Sequence, residues 1–385
     1  MLQTTPQPQQ GPYANPALVA HPPNRSGVPA AAFAAGTAAV AAAHVAGASP
    51  MVAIATGAAA GAAIAGAMLL QGERVVDSTP IPAEWTVRDA ADGVRIMTWN
   101  IRGATGSWGG TMRAEVRDDI VDAIERIDPD VVVMQEVNRR APRTFGRDLA
   151  AQLAGGSGAT DWSFAFRRTG ALNAYGHLVM TRNGFQIEDD ASGADRTYAL
   201  PLTTTDGGIQ RIADVSSIVT PAGARFTMVG THLSSGNPTL RDRQAVELGA
   251  AIDAIRAGTP LAGMRRGDAP ASAEGLATTV VLAGDFNAAP STLRRPGSLE
   301  PDVHGLTDAL TAAGVAVRGD ARRVSYVGGS ALDHVFVGGG ARVAAASVLH
   351  APRGSWDEGL RRFWPSEHTS DHDAVVADVV LTSTR

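Results

Sequence analysis

Polar residues follow directly on an apolar segment at 280–284, and their types could support hydrolytic chemistry. The segment has the pattern of a buried strand, and Asp285 and Asn287 come next. Side chains two residues apart in a strand point to the same face, so this pair predicts a carboxylate beside an amide. The same residues also suit an Asx turn that closes the strand, and the pair alone does not distinguish these interpretations.

Similar polar residues are expected at the carboxyl ends of other predicted strands. They are Asn100, Glu136, His232, Asp333, and the pair Asp371 and His372 before the last predicted strand. Because strand ends meet at one edge of a sheet, we expect these groups to share a cleft with Asp285, which His177 and His334 could also line. Carboxylates, amides and imidazoles without any cysteine favour Mg²⁺ or Mn²⁺ over structural zinc. The set predicts metal-assisted phosphoester hydrolysis, in which a carboxylate prepares water and other donors stabilise charge on the phosphate.

Hydrophobic periodicity predicts the elements that would position these groups. Strands are predicted at 95–100, 131–134, 164–166, 177–181, 212–219, 225–230, 280–284, 332–337, 342–348 and 374–381. Helices are predicted at 113–127 and at about 240–257, with Val246 in the buried stripe of the second, and 258–278 is predicted to be a loop. Many strands with few intervening helices predict an α/β (α+β) fold in which sheets pack face to face with helices outside.

The order and wording of the motifs resemble the endonuclease/exonuclease/phosphatase superfamily over about residues 94–383. The matching segments are Thr98-Trp-Asn100-Ile-Arg102-Gly, Asp130-Val-Val-Val-Met-Gln-Glu136-Val, Tyr175-Gly-His-Leu-Val-Met-Thr-Arg182, Gly230-Thr-His232-Leu, Gly284-Asp285-Phe-Asn287-Ala, Leu332-Asp333-His-Val-Phe-Val and Ser370-Asp371-His372. Each motif is short, and the common order carries the resemblance. It implies a catalytic domain at 94–383 built as a four-layer α/β/β/α sandwich of two mixed sheets with outer helices.

The resemblance also implies a metal site. Glu136 would be the principal ligand of Mg²⁺ or Mn²⁺, with Asn100 beside it and Asp371 near the metal. The competing interpretation of Glu136 is a surface carboxylate that forms an ion pair with Arg139 or Arg140.

Catalytic roles follow from the resemblance for the remaining residues. Asp285 would orient or deprotonate the attacking water, and Asn287 would hold that water and a phosphate oxygen. His372, hydrogen-bonded to Asp333, would act on the phosphate as a charged donor, and His232 would supply a second donor. The reaction implied is direct in-line hydrolysis without a covalent enzyme intermediate.

Residues 1–93 lie outside the resemblance and differ from the rest in composition. Residues 1–29 predict a disordered leader and residues 71–93 a linker. Residues 30–70 are rich in Ala and Gly and carry no charge, which fits a transmembrane hairpin or span, a signal peptide, or a low-complexity linker. The first interpretation predicts a membrane-associated protein and the second an exported one.

Composition excludes some classes of chemistry and of binding partner but does not identify the substrate. The net charge of −5 argues against a global basic field, and the absence of cysteine excludes disulfides and a thiol nucleophile. The Asn100 and Glu136 motifs resemble those of secreted deoxyribonucleases, so we favour nucleic acid over lipid as the phosphodiester substrate. The Arg- and aromatic-containing segment 350–368 could contact nucleic acid, dock equally well at a lipid headgroup interface, or form a packed surface loop. The alternatives are a phospholipid, sphingomyelin or inositol-phosphate hydrolase at a membrane, and a catalytically silent binding module with a membrane-inserting N-terminal segment.

Overall fold

Two β-sheets dominate the computed structural model, which describes residues 93–106, 110–168, 173–190, 196–205, 210–266, 269–314, 325–326, 330–349 and 370–381. The predictions for the leader, for the 30–70 segment, for most of the linker and for the 350–368 segment therefore lie outside the described residues. Among the helices that are described, none combines the length and the apolar character needed to cross a membrane.

The strands fall into two mixed sheets. They are β1 (Gly93–Asn100), β2 (Val131–Arg139), β3 (Asp161–Arg168), β4 (Ala174–Thr181), β5 (Gln186–Ile187), β6 (Thr197–Pro201), β7 (Ile212–Val219), β8 (Arg225–His232), β9 (Leu261–Arg266), β10 (Ala269–Ala273), β11 (Val280–Asp285), β12 (Leu306–Asp308), β13 (Asp333–Gly338), β14 (Ala341–Leu349) and β15 (Ala374–Leu381). The first sheet has the order β14-β15-β1-β2-β4-β3, and the second has the order β10-β9-β6-β7-β8-β11-β13-β12 with β5 paired to β7. The pairs β1–β2 and β8–β11 are parallel, whereas their other neighbours run antiparallel.

The main apolar core lies between the two sheets. Val133 and Val179 from the first sheet belong to the same buried cluster as Met228, Ala283 and Val335 from the second. Alternation along each strand sends one set of side chains into this core and the other set to the outer face, as expected for sheets stacked face to face.

The longer helices cover the outer faces and complete the predicted layers, whereas the short helix at Ala309–Ala312 packs into the core between the sheets. They are α1 (Ala114–Ile127), α2 (Leu149–Gly156), α3 (Pro238–Arg256), α4 (Pro290–Leu293) and α5 (Ala309–Ala312), with 3₁₀ turns at Arg102–Ala104 and Pro142–Thr144. Helix α2 contacts α1, β2 and β3, while Leu248, Ile252 and Ile255 of α3 pack against the outer face of the second sheet. The predicted sandwich of two packed mixed sheets with outer helices is confirmed.

Some local predictions are wrong. Val246 was expected in the buried stripe of α3, but 46% of its surface is exposed. Helix α3 begins at Pro238 because the Asn237 side chain accepts a hydrogen bond from the backbone N–H of Leu240 at 3.0 Å and caps the helix. The predicted loop at 258–278 contains the hairpin formed by β9 and β10.

Candidate active site

The predicted polar residues meet at one edge of the sandwich because of strand direction. In the parallel pair β8–β11, His232 lies opposite Asp285 at the carboxyl ends of both strands. Asp333 was expected at the end of a strand, but it is the first residue of β13. Since β13 runs antiparallel to β11, its first residue lies opposite Asp285, and Asp333 reaches the same edge from the other direction.

The carboxylate of Asp285 is the meeting point of both sheets. Its Oδ2 atom accepts a hydrogen bond from Nδ2 of Asn100 at 3.0 Å, and Asn100 ends β1 in the first sheet. The same oxygen lies 3.3 Å from Nε2 of His232 and 3.7 Å from Nε2 of His372. All four side chains are buried, and the amide of Asn100 and two imidazoles surround the carboxylate of Asp285 at the sheet edge.

His372 is held as a cation by two carboxylates. Its Nδ1 lies 2.8 Å from Oδ2 of the fully buried Asp333, as the sequence comparison with the family implied. Burial on its own lowers the pKa of His372, but the nearby charges of Asp333 and Asp285 outweigh this effect and raise the pKa to about 10. Trp99 donates its indole N–H to the backbone oxygen of His372 at 2.8 Å and fixes the segment.

His232 has the opposite electrostatic character. Burial lowers its pKa well below the ordinary value, and the positive charges of Arg211 and His372, together with His177, lower it further. Nδ1 of His232 has no hydrogen-bond partner in the described structure. The site therefore offers a neutral imidazole and a cationic imidazole on either side of Asp285.

Asp285 itself is poised near neutrality. Burial raises the pKa of the Asp285 carboxyl to about 6, and the negative charge of Asp333 adds to this rise. The positive charge of His372 and the hydrogen bonds from Asn100 and from the backbone of Asn287 act in the opposite direction and lower the pKa. A carboxylate of this kind, ionised at neutral pH but readily protonated, is suited to act as a general base.

Asn287 does not lie beside Asp285 on a strand face. Strand β11 ends at Asp285, whose Oδ1 accepts the backbone N–H of Asn287 at 2.8 Å, and Asn287 has φ of 49°. The Asx-turn interpretation is therefore the correct one for this pair. The amide of Asn287 donates to the backbone oxygen of Leu233 at 3.0 Å, so it ties the ends of β8 and β11 together. His334 is fully buried and packs edge-on against Phe286, with its Nε2 3.0 Å from the backbone oxygen of Ala288 and its Nδ1 3.5 Å from Asp308.

Glu136 has the features of a cation ligand. It lies at a β-bulge in β2 with φ of 60°, and its half-buried carboxylate accepts one long hydrogen bond, 3.4 Å from Nδ2 of Asn100. Among the described residues, Glu136 forms no ion pair with Arg139 or Arg140, and Arg139 pairs with Asp148 at 2.6 Å instead. A partly buried carboxylate without a cationic partner fits a divalent metal ligand, since burial of an uncompensated charge is unfavourable.

Asp371 is already engaged by an arginine. Its Oδ2 lies 2.9 Å from Nη1 of Arg102, so its charge is partly compensated without a metal. In the described part of the chain, Asp285, Asp333 and His372 bring three ligand atoms within 4.8 Å of one another. A cation bound by these three residues would displace the hydrogen bond between Asp333 and His372. The carboxylate of Glu136 accepts only one long hydrogen bond and is available to bind a metal, so a hard cation fits best at Glu136.

Comparison with known proteins assigns the chain to a family. The sequence model of the Endonuclease/Exonuclease/phosphatase family matches residues 97–372, which is more than half of the chain. The chain belongs to the endonuclease/exonuclease/phosphatase family. Members of this family are hydrolases that act on phosphoester bonds. No curated protein matches the sequence significantly.

Solved structures of the endonuclease/exonuclease/phosphatase family share the fold. One from Beutenbergia cavernae is 25% identical with a TM-score of 0.50, over 76% of this chain and 72% of that one. A family protein from Bacteroides thetaiotaomicron is 15% identical with a TM-score of 0.53, over 76% and 96%. A mannosyl-6-phosphatase from the same organism is 15% identical with a TM-score of 0.51, over 75% and 100%.

Several residues of this endonuclease/exonuclease/phosphatase site were not predicted. The ring centroid of Tyr326 lies 4.9 Å from that of His372, and burial and the charge of Asp371 raise the pKa of Tyr326. Tyr175 accepts a hydrogen bond from Arg211, and burial and the charge of Glu136 raise its pKa. Arg211 could have been found from the sequence as the charge directly before the strand that pairs with β8, but nothing around Tyr326 marks it.

Proposed function

We propose that the chain is a divalent-metal-dependent phosphodiesterase that cleaves nucleic acid. The observation that carries the proposal is the arrangement around Asp285, whose Oδ2 lies within 3.7 Å of His232 and His372 and accepts a hydrogen bond from Asn100. A near-neutral base flanked by a neutral and a cationic imidazole supplies both the proton acceptor and the donors that phosphoester hydrolysis requires.

The roles of the chain's own residues follow from their charge states. Asp285 takes a proton from water as the water oxygen attacks phosphorus opposite the leaving oxygen. His372, kept positive by Asp333, donates to the oxygens on which negative charge develops, and His232 donates to the phosphate as a neutral imidazole. Asn287 holds the end of β11 in register through its bond to Leu233, which keeps the Asp285 carboxylate in place.

A divalent ion would complete the site. Mg²⁺ or Mn²⁺, held by Glu136 with Asn100 beside it and Asp371 nearby, would neutralise charge on the bound phosphate. The half-buried carboxylate of Glu136, which pairs with no cation among the described residues, supports this assignment.

Nucleic acid is the preferred substrate because of the motif wording around Asn100 and Glu136, which resembles that of secreted deoxyribonucleases. The mannosyl-6-phosphatase shares only the fold at 15% identity and does not argue for a sugar phosphate here. The complete set of polar residues at the sheet edge argues against a catalytically silent module.

The test is a substrate panel. The full chain, with Mg²⁺ or Mn²⁺, is offered single-stranded DNA, plasmid DNA, RNA, phosphatidylinositol, sphingomyelin and mannose 6-phosphate, with Asp285→Asn as the inactive control. We expect hydrolysis of a nucleic acid that is abolished by EDTA. Faster hydrolysis of either lipid would establish the lipid-hydrolase alternative, and undiminished activity in excess EDTA would contradict the metal requirement. No hydrolysis of any substrate would contradict the proposed nuclease and favour the silent module.

A further inference from the structure

A loop rich in arginine begins three residues after Glu136 in the chain. Residues 139–148, which we call the arginine loop, connect β2 to α2. Its arginines are Arg139, Arg140, Arg143 and Arg147. In a chain with a net charge of −5, this is a local concentration of positive charge.

The arginine loop is closed by hydrogen bonds. The backbone N–H of Arg140 donates to the oxygen of Arg147 at 2.9 Å, and Arg139 and Asp148 pair both through the backbone and through their side chains. The buried Thr144 donates its hydroxyl to the oxygen of Arg147 at 2.8 Å. The loop therefore holds its tip in a defined position.

Phe145 at the tip is exposed and has an unusual backbone conformation. The exposed fraction of its surface is 65%, and its φ of 51° places it in the left-handed region. Bulky residues are rare in that region, where Gly and Asn are preferred. Neither packing nor backbone preference explains a phenylalanine at this position, which points to a ring kept for contact with another molecule.

Three of the four arginines of the loop are available to bind an anion. Arg139 is neutralised by Asp148, and its guanidinium also lies over the rings of Trp162 and Phe164, 5.6 Å and 5.4 Å from their centroids. Within the described residues, none of the other three arginines of the loop forms an ion pair with a carboxylate. The surface thus combines uncompensated positive charge with an exposed aromatic ring.

The arginine loop borders the candidate active site. A side chain placed at Gly103 would come within 3.5 Å of both Cζ of Arg143 and the backbone oxygen of Glu136. Gly103 also follows Asn100 by three residues. A polyanion bound along the loop would therefore run past the residue proposed to hold the metal.

We propose that the arginine loop binds single-stranded nucleic acid and leads it to the active site. Arg140, Arg143 and Arg147 contact successive phosphates, and an unpaired base stacks on Phe145. The inference rests on the proposed function, because a strand at this position presents its phosphodiesters to Asp285. An anionic membrane would also attract arginines, but a single exposed apolar side chain on a closed loop gives little area for insertion.

The test is binding of a fluorescein-labelled single-stranded 20-mer to the full chain in EDTA, followed by anisotropy at several salt concentrations. The double variant Arg140→Gln, Arg147→Gln should bind at least about tenfold more weakly, and the slope of log affinity against log salt should fall by about 1.4, which corresponds to two lost phosphate contacts. The control double variant is Arg126→Gln, Arg342→Gln, which removes two exposed arginines near the opposite edge of the first sheet. The control should bind as the wild type does.

Phe145→Asn tests the stacking separately from the charge. Asn tolerates the left-handed conformation, so the variant should fold with an unchanged or higher melting temperature. Loss of one base–aromatic stack should weaken binding about five- to tenfold while leaving the salt slope unchanged. A melting temperature that falls with affinity would instead assign Phe145 a structural role and overturn its part in binding.

The outcomes separate this inference from the proposed function. The role of the arginine loop in binding would be contradicted if the two double variants bound the oligonucleotide with equal affinity. Hydrolysis of bis(p-nitrophenyl) phosphate by the wild type would then leave the proposed phosphodiesterase activity intact. Loss of sedimentation with phosphatidylserine vesicles in the Arg140/Arg147 variant, with oligonucleotide affinity unchanged, would assign the loop to lipid. If the wild type neither binds nor cleaves the oligonucleotide, both nucleic-acid cleavage and single-strand binding by the arginine loop are contradicted. Hydrolysis of bis(p-nitrophenyl) phosphate in that case would show a phosphodiesterase with another substrate.

Discussion

Asp285 and His372 approach each other to 3.7 Å, between Oδ2 and Nε2, although one residue belongs to the second sheet and the other precedes a strand of the first. The contact exists only because the two sheets pack face to face. The polar side chains at the edge are thus positioned by the apolar core behind them. A substitution in that core should therefore change the distance between Asp285 and His372 and lower the rate of hydrolysis.

The first prediction concerns the two central residues. His372→Ala and Asp285→Asn should each lower the rate of phosphodiester hydrolysis at least about a hundredfold, because each removes a proton acceptor or a charged donor. His304→Ala is the matched control, since this histidine pairs with Asp253 at 2.9 Å and takes no part in the site. Steady-state rates on one substrate with saturating metal decide the matter, and equal losses in all three variants would contradict the assignment.

The second prediction distinguishes the proposed metal ligands. Glu136→Gln should raise the Mn²⁺ concentration needed for half-maximal activity at least about tenfold, and it should weaken Mn²⁺ binding measured by calorimetry. Asp371→Asn should have a smaller effect, because Arg102 already compensates that carboxylate. Glu125→Gln on the exposed face of α1 serves as the control. Stronger dependence on Asp371 than on Glu136 would place the metal elsewhere.

The third prediction concerns the close approach of two parallel strands. A Cβ atom added at Gly284 would lie 2.1 Å from the backbone oxygen of Thr231 in β8, and φ at Gly284 is 153°. Gly284→Ala should therefore push β11 away from β8 and lower the free energy of unfolding by about 3 kcal/mol or more. Urea denaturation measures the loss, with Ala283→Gly as a variant that opens space instead. A change below about 1 kcal/mol would show that the strands separate easily.

The fourth prediction is a pH dependence of stability that originates in β7. Asp214 is fully buried in β7, where Ser216 donates to one carboxylate oxygen at 2.9 Å and the other oxygen has no partner among the described residues. Burial raises the pKa of Asp214 to about 7, against the hydrogen bond from Ser216. A raised folded-state pKa gives stability that is fully present below about pH 4 and is lost as the pH rises towards 7.

Replacement of this carboxylate should remove that loss. Asp214→Asn should become more stable than the wild type as the pH rises from 4 to 7, by at most about 4 kcal/mol. The difference between the two unfolding free energies, measured by urea titration at each pH, isolates this residue from the other titrating groups. A difference that stays constant across the range would show that Asp214 titrates normally.

Strand patterns and motif order were sufficient to predict the sandwich and the residues at its edge. Apolar runs such as 131–134 and 280–284 are strong signals because they are buried on both faces. The pairing of His372 with Asp333 also followed from the family resemblance, although the two are 39 residues apart.

Local departures from regular geometry could not be predicted in the same way. Glu136 sits at a bulge and Asn287 beyond the end of its strand, and both have positive φ, so the alternation that sequence reasoning assumes fails at these residues. The direction of β13, which places Asp333 at its start, depends on sheet topology. The exposure of Val246 depends on how α3 is rotated against its sheet, which periodicity fixes only approximately.

The position of β15 has a consequence for the order in which the candidate site is assembled during synthesis. Although it is formed by residues 374–381, this strand lies inside the first sheet, between β14 and β1, and His372 directly precedes it. Translation must therefore have passed residue 381 before this strand can insert completely and bring the imidazole of His372 to Asp285. Until then, the arrangement of His372 beside Asp285 and Asp333 cannot form.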